Sequence, residues 1–125
     1  MRKRPNGGII TINDSGAVNV PTNVQMSEFE IAQLLGIMVP TVRGAIKRLL
    51  NSRPFLDCSG GVVRGNRVVP EYFGLEVVIA IAMQFESYEA DIFRRWLLRK
   101  ATRYSNQQPI YIQMNRQDSN FNAQL

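Results

Sequence analysis

The chain has 125 residues, of which 45% are hydrophobic, and its 15 lysines and arginines outnumber its 10 acidic residues to give a net charge of +5. This length suffices for one compact domain with a small core, and the positive excess favours polyanionic partners. The chain contains no histidine and one cysteine, which excludes the usual zinc sites, the catalytic triads and an internal disulfide. We therefore expect no enzyme activity, no metal or cofactor, and a cytoplasmic location.

The amino-terminal region predicts a short β-hairpin after a basic start. The start at residues 1–4 is basic, but Pro-Asn-Gly-Gly follows at 5–8, where a signal peptide requires an apolar core, so we expect no export. No apolar run approaches the length of a membrane span. Residues 9–12 and 17–20 are rich in β-branched side chains, and residues 13–16 between them are typical of a hairpin turn.

The next segment predicts two short helices joined by a tight turn. Ser27 and Glu30 have the spacing of a capping box, which starts a helix by satisfying its free backbone donors. Gly36 is placed to end that helix, because glycine tolerates the left-handed conformation of a sharp turn. Pro40 is placed at the first position of a second helix, which we expect to span residues 40–51.

The same segment has the spacing of a helix-turn-helix. This motif needs a small residue where its helices cross, a glycine in the turn and an apolar anchor in the second helix. Ala32, Gly36 and Val42 match these positions, and the pattern resembles that of phage and bacterial repressors. Two packed helices can also form a plain structural corner. Apolar residues recur at helical spacing in the second helix, which leaves these residues outside: Thr41, Arg43, Gly44, Lys47 and Arg48.

A second hairpin is predicted at residues 61–70, after the helix pair. Two valine pairs flank Arg64-Gly65-Asn66-Arg67, and Gly65-Asn66 suits a tight turn. A hairpin after a recognition helix is the wing of winged helix-turn-helix proteins, whose tip commonly touches the DNA backbone or minor groove; the alternative is a solubilising turn. Asp57 alone opposes the basic residues between positions 40 and 67 in sequence, which are Arg43, Lys47, Arg48, Arg53, Arg64 and Arg67.

Two further helices complete the predicted α+β fold. Residues 75–85 are apolar almost all round and predict a central helix buried in the core. Ser87 is placed to cap the next helix, whose aromatic residues keep helical spacing and are interpreted as packing rather than base stacking. Residues 1–105 are thus expected to form a winged helix-turn-helix-like core of about four helices and two short β-hairpins. Residues 106–125 are expected to form a flexible tail with one possible strand at 109–114.

Two motifs resemble a known protein family. Residues 72–80, Tyr-Phe-Gly-Leu-Glu-Val-Val-Ile-Ala, are followed by Ser87, Ala90 and the run Phe-Arg-Arg-Trp at 93–96. This order resembles the virulence protein RhuM family and related bacterial mobile-element proteins, where it also follows a helix-turn-helix segment. The resemblance covers residues 23–101 and implies a bacterial, DNA-associated protein. Glu76 stands where the family has aspartate, and the activity of the family's further domain is not implied here.

Together these features predict sequence-specific binding to double-stranded DNA by a transcriptional regulator. The helix at 40–51 would enter the major groove, and the hairpin at 61–70 would act as the wing. We expect Thr41 and Arg43 to meet base edges or the nearest phosphates, Arg43 being suited to guanine, and Gly44 to belong to the same DNA-binding surface. The other basic residues are expected to contact phosphates: Lys47, Arg48, Arg53, Arg64 and Arg67. A single recognition helix makes few DNA contacts, so we expect a homodimer. The alternative is a protein-interaction module built on the same scaffold, without DNA binding.

Overall fold

The fold was obtained as a computed structural model, which describes residues 7–53 and 56–107. Within those residues the chain is α+β, with four helices and three separate antiparallel strand pairs, and this fold class confirms the prediction. In chain order the elements are β1 (Thr11–Ile12), β2 (Val18–Asn19), α1 (Glu28–Leu35), α2 (Val39–Ser52), β3 (Cys58–Ser59), β4 (Val62–Arg64), β5 (Arg67–Val69), β6 (Tyr72–Phe73), α3 (Leu75–Gln84) and α4 (Tyr88–Gln107). The predicted strand at 109–114 and the basic start at 1–4 lie outside the described residues.

Helix α1 begins and ends where the local sequence predicts. The Ser27 hydroxyl oxygen accepts a hydrogen bond from the Glu30 backbone N–H at 3.2 Å, and the Glu30 carboxylate accepts one from the Ser27 N–H at 2.9 Å. This capping box satisfies two of the backbone donors that a helix start leaves free. At the other end Gly36 takes a φ of 65°, a left-handed conformation that costs glycine little.

A turn of three residues separates α1 from α2, and the chain bends by 115° between the two helices. Helix-turn-helix pairs cross at about 90–120° through turns of this length. Pro40 is the second residue of α2 rather than the first, because the helix already begins at Val39. Ala32 of α1 and Val42 of α2 are both buried, and the two helices pack against each other.

Among the described helices, none is long and apolar enough by itself to cross a membrane. Helices α1 and α2 reach that length and composition only when they are counted together across their bend.

The β4–β5 hairpin is held at its base by strand pairing that the sequence did not predict. No strand was predicted between α2 and the hairpin, but β3 pairs with β6 and brings Cys58 opposite Phe73. Met26 and Phe73 also exchange backbone hydrogen bonds of 2.9 and 2.8 Å just before α1 begins. The hairpin therefore leaves the domain beside the helix pair, because both of its ends are fixed to the chain around α1.

The core lies between the helices and this small sheet. Phe73, Phe93 and Met26 are its largest fully buried side chains, with aliphatic residues of α1 and α3 packed around them. Helix α4 begins as predicted, since the Ser87 hydroxyl accepts from the Ala90 N–H at 2.9 Å and donates to the Leu35 carbonyl at the end of α1. The core thus fixes α1 and α4 together and leaves the outer side of α2 uncovered.

Candidate nucleic-acid interface

The outer face of α2 carries the polar residues that the helical period predicts. Val42, Ala45 and Ile46 are buried, and the opposite side of the helix is open to solvent. The predicted site residues on this side are Thr41, Arg43, Lys47 and Arg48, which are exposed, and Gly44, which is partly exposed. The helix therefore presents basic side chains outward along most of its length.

The β4–β5 hairpin forms as predicted and has two unlike faces. Val63 lies opposite Val68 and Arg64 opposite Arg67, and Gly65 takes a φ of 63° in the two-residue turn between them. Because successive side chains of a strand point to opposite faces, the arginine pair and the valine pair lie on different sides. The arginines face α2, whereas Val63 and Val68 are 71% and 72% exposed.

A groove of about 260 Å³ separates α2 from the hairpin. Its rim carries four cationic side chains, namely Arg43 and Lys47 from α2 and Arg64 and Arg67 from the hairpin. The remaining lining residues are Glu28, Asn51 and an apolar floor of Ile46, Leu50, Val69, Pro70 and Phe73. The structure thus brings two distant basic segments to the two sides of one cleft.

One carboxylate joins both sides of this groove. Glu28, the first residue of α1, accepts a hydrogen bond from Arg43 Nε at 3.0 Å through its Oε1 atom. Arg64 Nη2 donates to the same oxygen at 3.1 Å, and Arg64 Nη1 donates to Oε2 at 3.3 Å. The Glu28 side chain is only 13% exposed, whereas those of Arg43 and Arg64 are 51% and 42% exposed. We call this Arg43–Glu28–Arg64 arrangement the arginine bridge.

The arginine bridge lowers the pKa of the Glu28 carboxyl from its usual value of 4.5. Burial raises this pKa, but the hydrogen bonds from Arg64 and Arg43 and the positive charges of both groups lower it by more in total. Both arginines favour the ionised form because they bond to and attract the carboxylate. Glu28 is therefore an anion at neutral pH, held between two cations.

A second ion pair lies at the end of α2. Arg53 caps the helix, and its Nη1 atom donates to the Glu76 carboxylate of α3 at 3.2 Å. Both side chains are more than half exposed, so the pair is screened by solvent and contributes little to stability. Arg53 was predicted to contact phosphates, but in the structure its guanidinium is partnered within the chain.

The predicted site residues do not all share one surface. Arg43, Lys47, Arg64 and Arg67 border the groove. Arg48 lies about 140° around α2 from Arg43, because successive helical residues are about 100° apart, and Thr41 lies on the same side as Arg48. Gly44 lies between the two sides on the exposed ridge of α2, which we call the crest. The groove and the far side of the helix would therefore meet different parts of a ligand.

Glu28 and Glu76 are the two residues of this surface that sequence reasoning missed. No partner for Glu28 follows from the sequence, where Asp57 is the one counter-charge among the basic residues between positions 40 and 67. Asp57 instead packs against Gly74, where an added Cβ would overlap its carboxylate. No spacing rule connects Glu28 to Arg64, because the two meet only after the hairpin is folded back beside α1.

Cys58 is a partly buried residue of β3. Burial, followed by the negative charge of Asp57, raises the pKa of its thiol. Both causes disfavour the thiolate, which is the nucleophilic form of cysteine.

Gly44 has the lowest helix propensity of the outer residues in the interior of α2. Glycine in a helix interior costs about 0.5–1 kcal/mol relative to alanine. Its backbone has no positive φ, and the nearest atom to an added Cβ is Arg48 Nη1 at 3.5 Å, an ordinary contact distance. Nothing in the described part of the fold therefore requires a glycine at this position.

No protein-family model, curated protein or solved structure matches the chain. The resemblance to the RhuM family accordingly stays a prediction carried by the motifs at 72–80 and 93–96.

Proposed function

We propose that the protein binds double-stranded DNA sequence-specifically, with α2 in the major groove and the β4–β5 hairpin as a wing. The short turn and 115° bend between α1 and α2 support this proposal, because they suit a helix-turn-helix. The hairpin that follows leaves the domain beside α2, where a wing would be needed. The resulting arrangement would make the fold a winged helix-turn-helix.

The observation that carries the proposal is the cationic groove between α2 and the hairpin. Four basic side chains border it against one carboxylate, and they come from segments that are separate in sequence. A duplex carries one negative charge per about 1.7 Å of its axis, so a row of phosphates is the partner that this rim attracts. The groove is open along the crest of α2, which leaves that helix accessible to base edges.

Gly44 supports the same docking face independently of charge. It lies on the crest of α2 between the groove side and the far side, and the described fold does not require it. Glycine is favoured where a backbone must approach a ligand closely. A duplex seated on the crest would bring base edges or sugar groups to this position, and a side chain would then keep the helix farther away.

The proposed roles follow from the partners of each cation. Arg43 and Thr41 would meet base edges near the start of α2, where arginine can bind guanine in a bidentate manner. Among the described residues, Lys47, Arg48 and Arg67 make no ion pair with a carboxylate. These three would contact backbone phosphates. A cytoplasmic bacterial regulator that binds as a homodimer is the biological form that we propose for this activity.

Selection of bound duplexes from a random pool, followed by affinity measurement at several salt concentrations, tests the proposal. We expect an enriched site with two-fold symmetry. Lys47→Ala and Arg67→Ala should each reduce the slope of log affinity against log salt by about 0.9, because each removes one phosphate contact. Arg99→Ala is the matched control, since Arg99 is exposed on α4, and it should leave the slope unchanged. Absence of enrichment together with unaffected slopes would show that this is not a DNA-docking face.

A protein-interaction module is the second candidate, and the outer face of the hairpin favours it. Val63 and Val68 form an exposed apolar cross-strand pair that makes no use of the groove. Such a pair suits contact with another protein surface. In that case the wild-type protein would bind no duplex above background, and Val63→Thr with Val68→Thr would abolish capture of its protein partner.

A further inference from the structure

The arginine bridge ties three separate elements of the docking face together. Its carboxylate stands at the first residue of α1, one guanidinium is on α2 and the other is on β4. Its three hydrogen bonds, of 3.0, 3.1 and 3.3 Å, are of ordinary length and join oppositely charged groups. The position of the hairpin relative to α2 is therefore fixed in part by a side chain that would touch no DNA itself.

The two arginines use different atoms in the bridge, and this leaves them with different capacities. Arg64 gives both terminal nitrogens to Glu28, so its forked end is occupied. Arg43 gives only Nε, and no described residue accepts from its Nη1 or Nη2. Arginine recognises guanine through two donors in a fixed relative orientation. The Nη1 and Nη2 atoms of Arg43 are thus the pair of donors suited to a base edge.

The bridge also separates two hollows of the surface. Glu28, Arg43, Arg64 and Pro70 border both the groove of about 260 Å³ and a second hollow of about 330 Å³. Arg43 therefore lines both hollows, with its Nε atom bonded to Glu28. A carboxylate at this place also repels phosphates, which weakens binding to any duplex irrespective of its sequence.

We propose that Glu28 is a positioning residue for DNA recognition, which orients Arg43 toward bases, keeps Arg64 as a brace rather than a phosphate contact, and lowers non-specific affinity. This inference rests on the proposed function of the same surface. It keeps the base-reading role predicted for Arg43 and replaces the phosphate contact predicted for Arg64 with a bracing role. Discrimination between duplexes, rather than affinity alone, is the property that Glu28 controls.

Glu28→Gln is the direct test, because glutamine keeps the shape and removes the charge. We expect affinity for a scrambled duplex to rise and the ratio of selected to scrambled affinity to fall by about fivefold or more, since a bidentate arginine contact is worth at least that discrimination. A loss of folded structure would instead lower both affinities. A rise in affinity for the scrambled duplex together with a fall in the affinity ratio is thus the result specific to a positioning role.

Arg64→Lys provides a second variant in which net charge is kept. Lysine has a single ammonium group and cannot bond both carboxylate oxygens as the guanidinium does, so we expect the affinity ratio to fall while affinity for the scrambled duplex stays within about twofold. Glu86→Gln is the matched charge control, since Glu86 is 93% exposed and pairs with Arg94 away from the groove. It should leave the affinity ratio unchanged.

The outcomes separate this inference from the proposed function. If the wild-type protein discriminates between duplexes but both Glu28→Gln and Arg64→Lys keep the full ratio, the positioning role is overturned and DNA binding stands. If the wild-type protein binds no duplex at all, both proposals fail together. Thermal unfolding of each variant, measured alongside, identifies any variant whose lowered affinity reflects loss of the fold.

Discussion

Gly44→Ala is expected to raise the stability of the fold and lower its affinity for DNA. The change adds one methyl group to the crest of α2 and removes the conformational freedom of a mid-helix glycine. The structure predicts no internal clash, because the nearest atom to the added Cβ is the flexible end of Arg48 at 3.5 Å. The expected gain is about 0.5–1 kcal/mol in the free energy of unfolding.

This gain is large enough to measure in a domain of this size. A change of about 1 kcal/mol moves Tm by about 2–8 °C across the usual range of domain lengths. Thermal and urea unfolding, followed by circular dichroism, would give two separate estimates of the same change. Gly36→Ala is the contrasting control, since its φ of 65° and the overlap of an added Cβ with the Glu89 carboxylate should make that variant less stable.

The effect on binding is worked out from the proposed close approach at the same position. An extra methyl group in a closely packed contact costs about 1–3 kcal/mol, which corresponds to a loss of about 5- to 150-fold in affinity for the selected duplex. Thr102→Ala, at an exposed position of α4, should leave affinity unchanged. A less stable Gly44→Ala protein would refute the backbone reasoning, and a stabilised protein with wild-type affinity would refute the close approach.

Three further expectations concern the fold itself. Ser27→Ala removes the hydroxyl that accepts from the Glu30 N–H and should cost about 1 kcal/mol in urea unfolding; an unchanged midpoint would mean that the capping box does not stabilise α1. Phe93→Ala removes a fully buried ring of α4 and should cost about 3–5 kcal/mol, so a loss below 1 kcal/mol would contradict its place in the core. Stability should also fall in acid, because the stabilisation from the lowered pKa of Glu28 is fully present above the unfolded value of 4.5 and is lost as pH falls through the lower folded value. In the Glu28→Gln variant the free energy of unfolding should depend less on pH in the acid range. An unchanged pH dependence would show that the arginine bridge does not couple to folding.

Elements whose cause lies within a few residues could be predicted from the sequence. The capping box that opens α1, the left-handed Gly36 that ends it and the Gly65 turn of the second hairpin are all where their local patterns predicted. Each depends on backbone hydrogen bonds or on φ preferences of neighbouring residues. The outward face of α2 was predicted for the same reason, since helical spacing alone separates its buried and exposed residues.

The partners of the charged residues were decided by tertiary structure. The β3–β6 pairing folds the hairpin back beside α1, and only then does Arg64 reach Glu28, 36 positions away in sequence. Arg53 likewise finds Glu76 only once α3 packs on α2. Local sequence determines which side chains are outward and basic. The chain path determines which of those charges are neutralised, because an ion pair needs a distance of a few ångströms that no sequence spacing specifies.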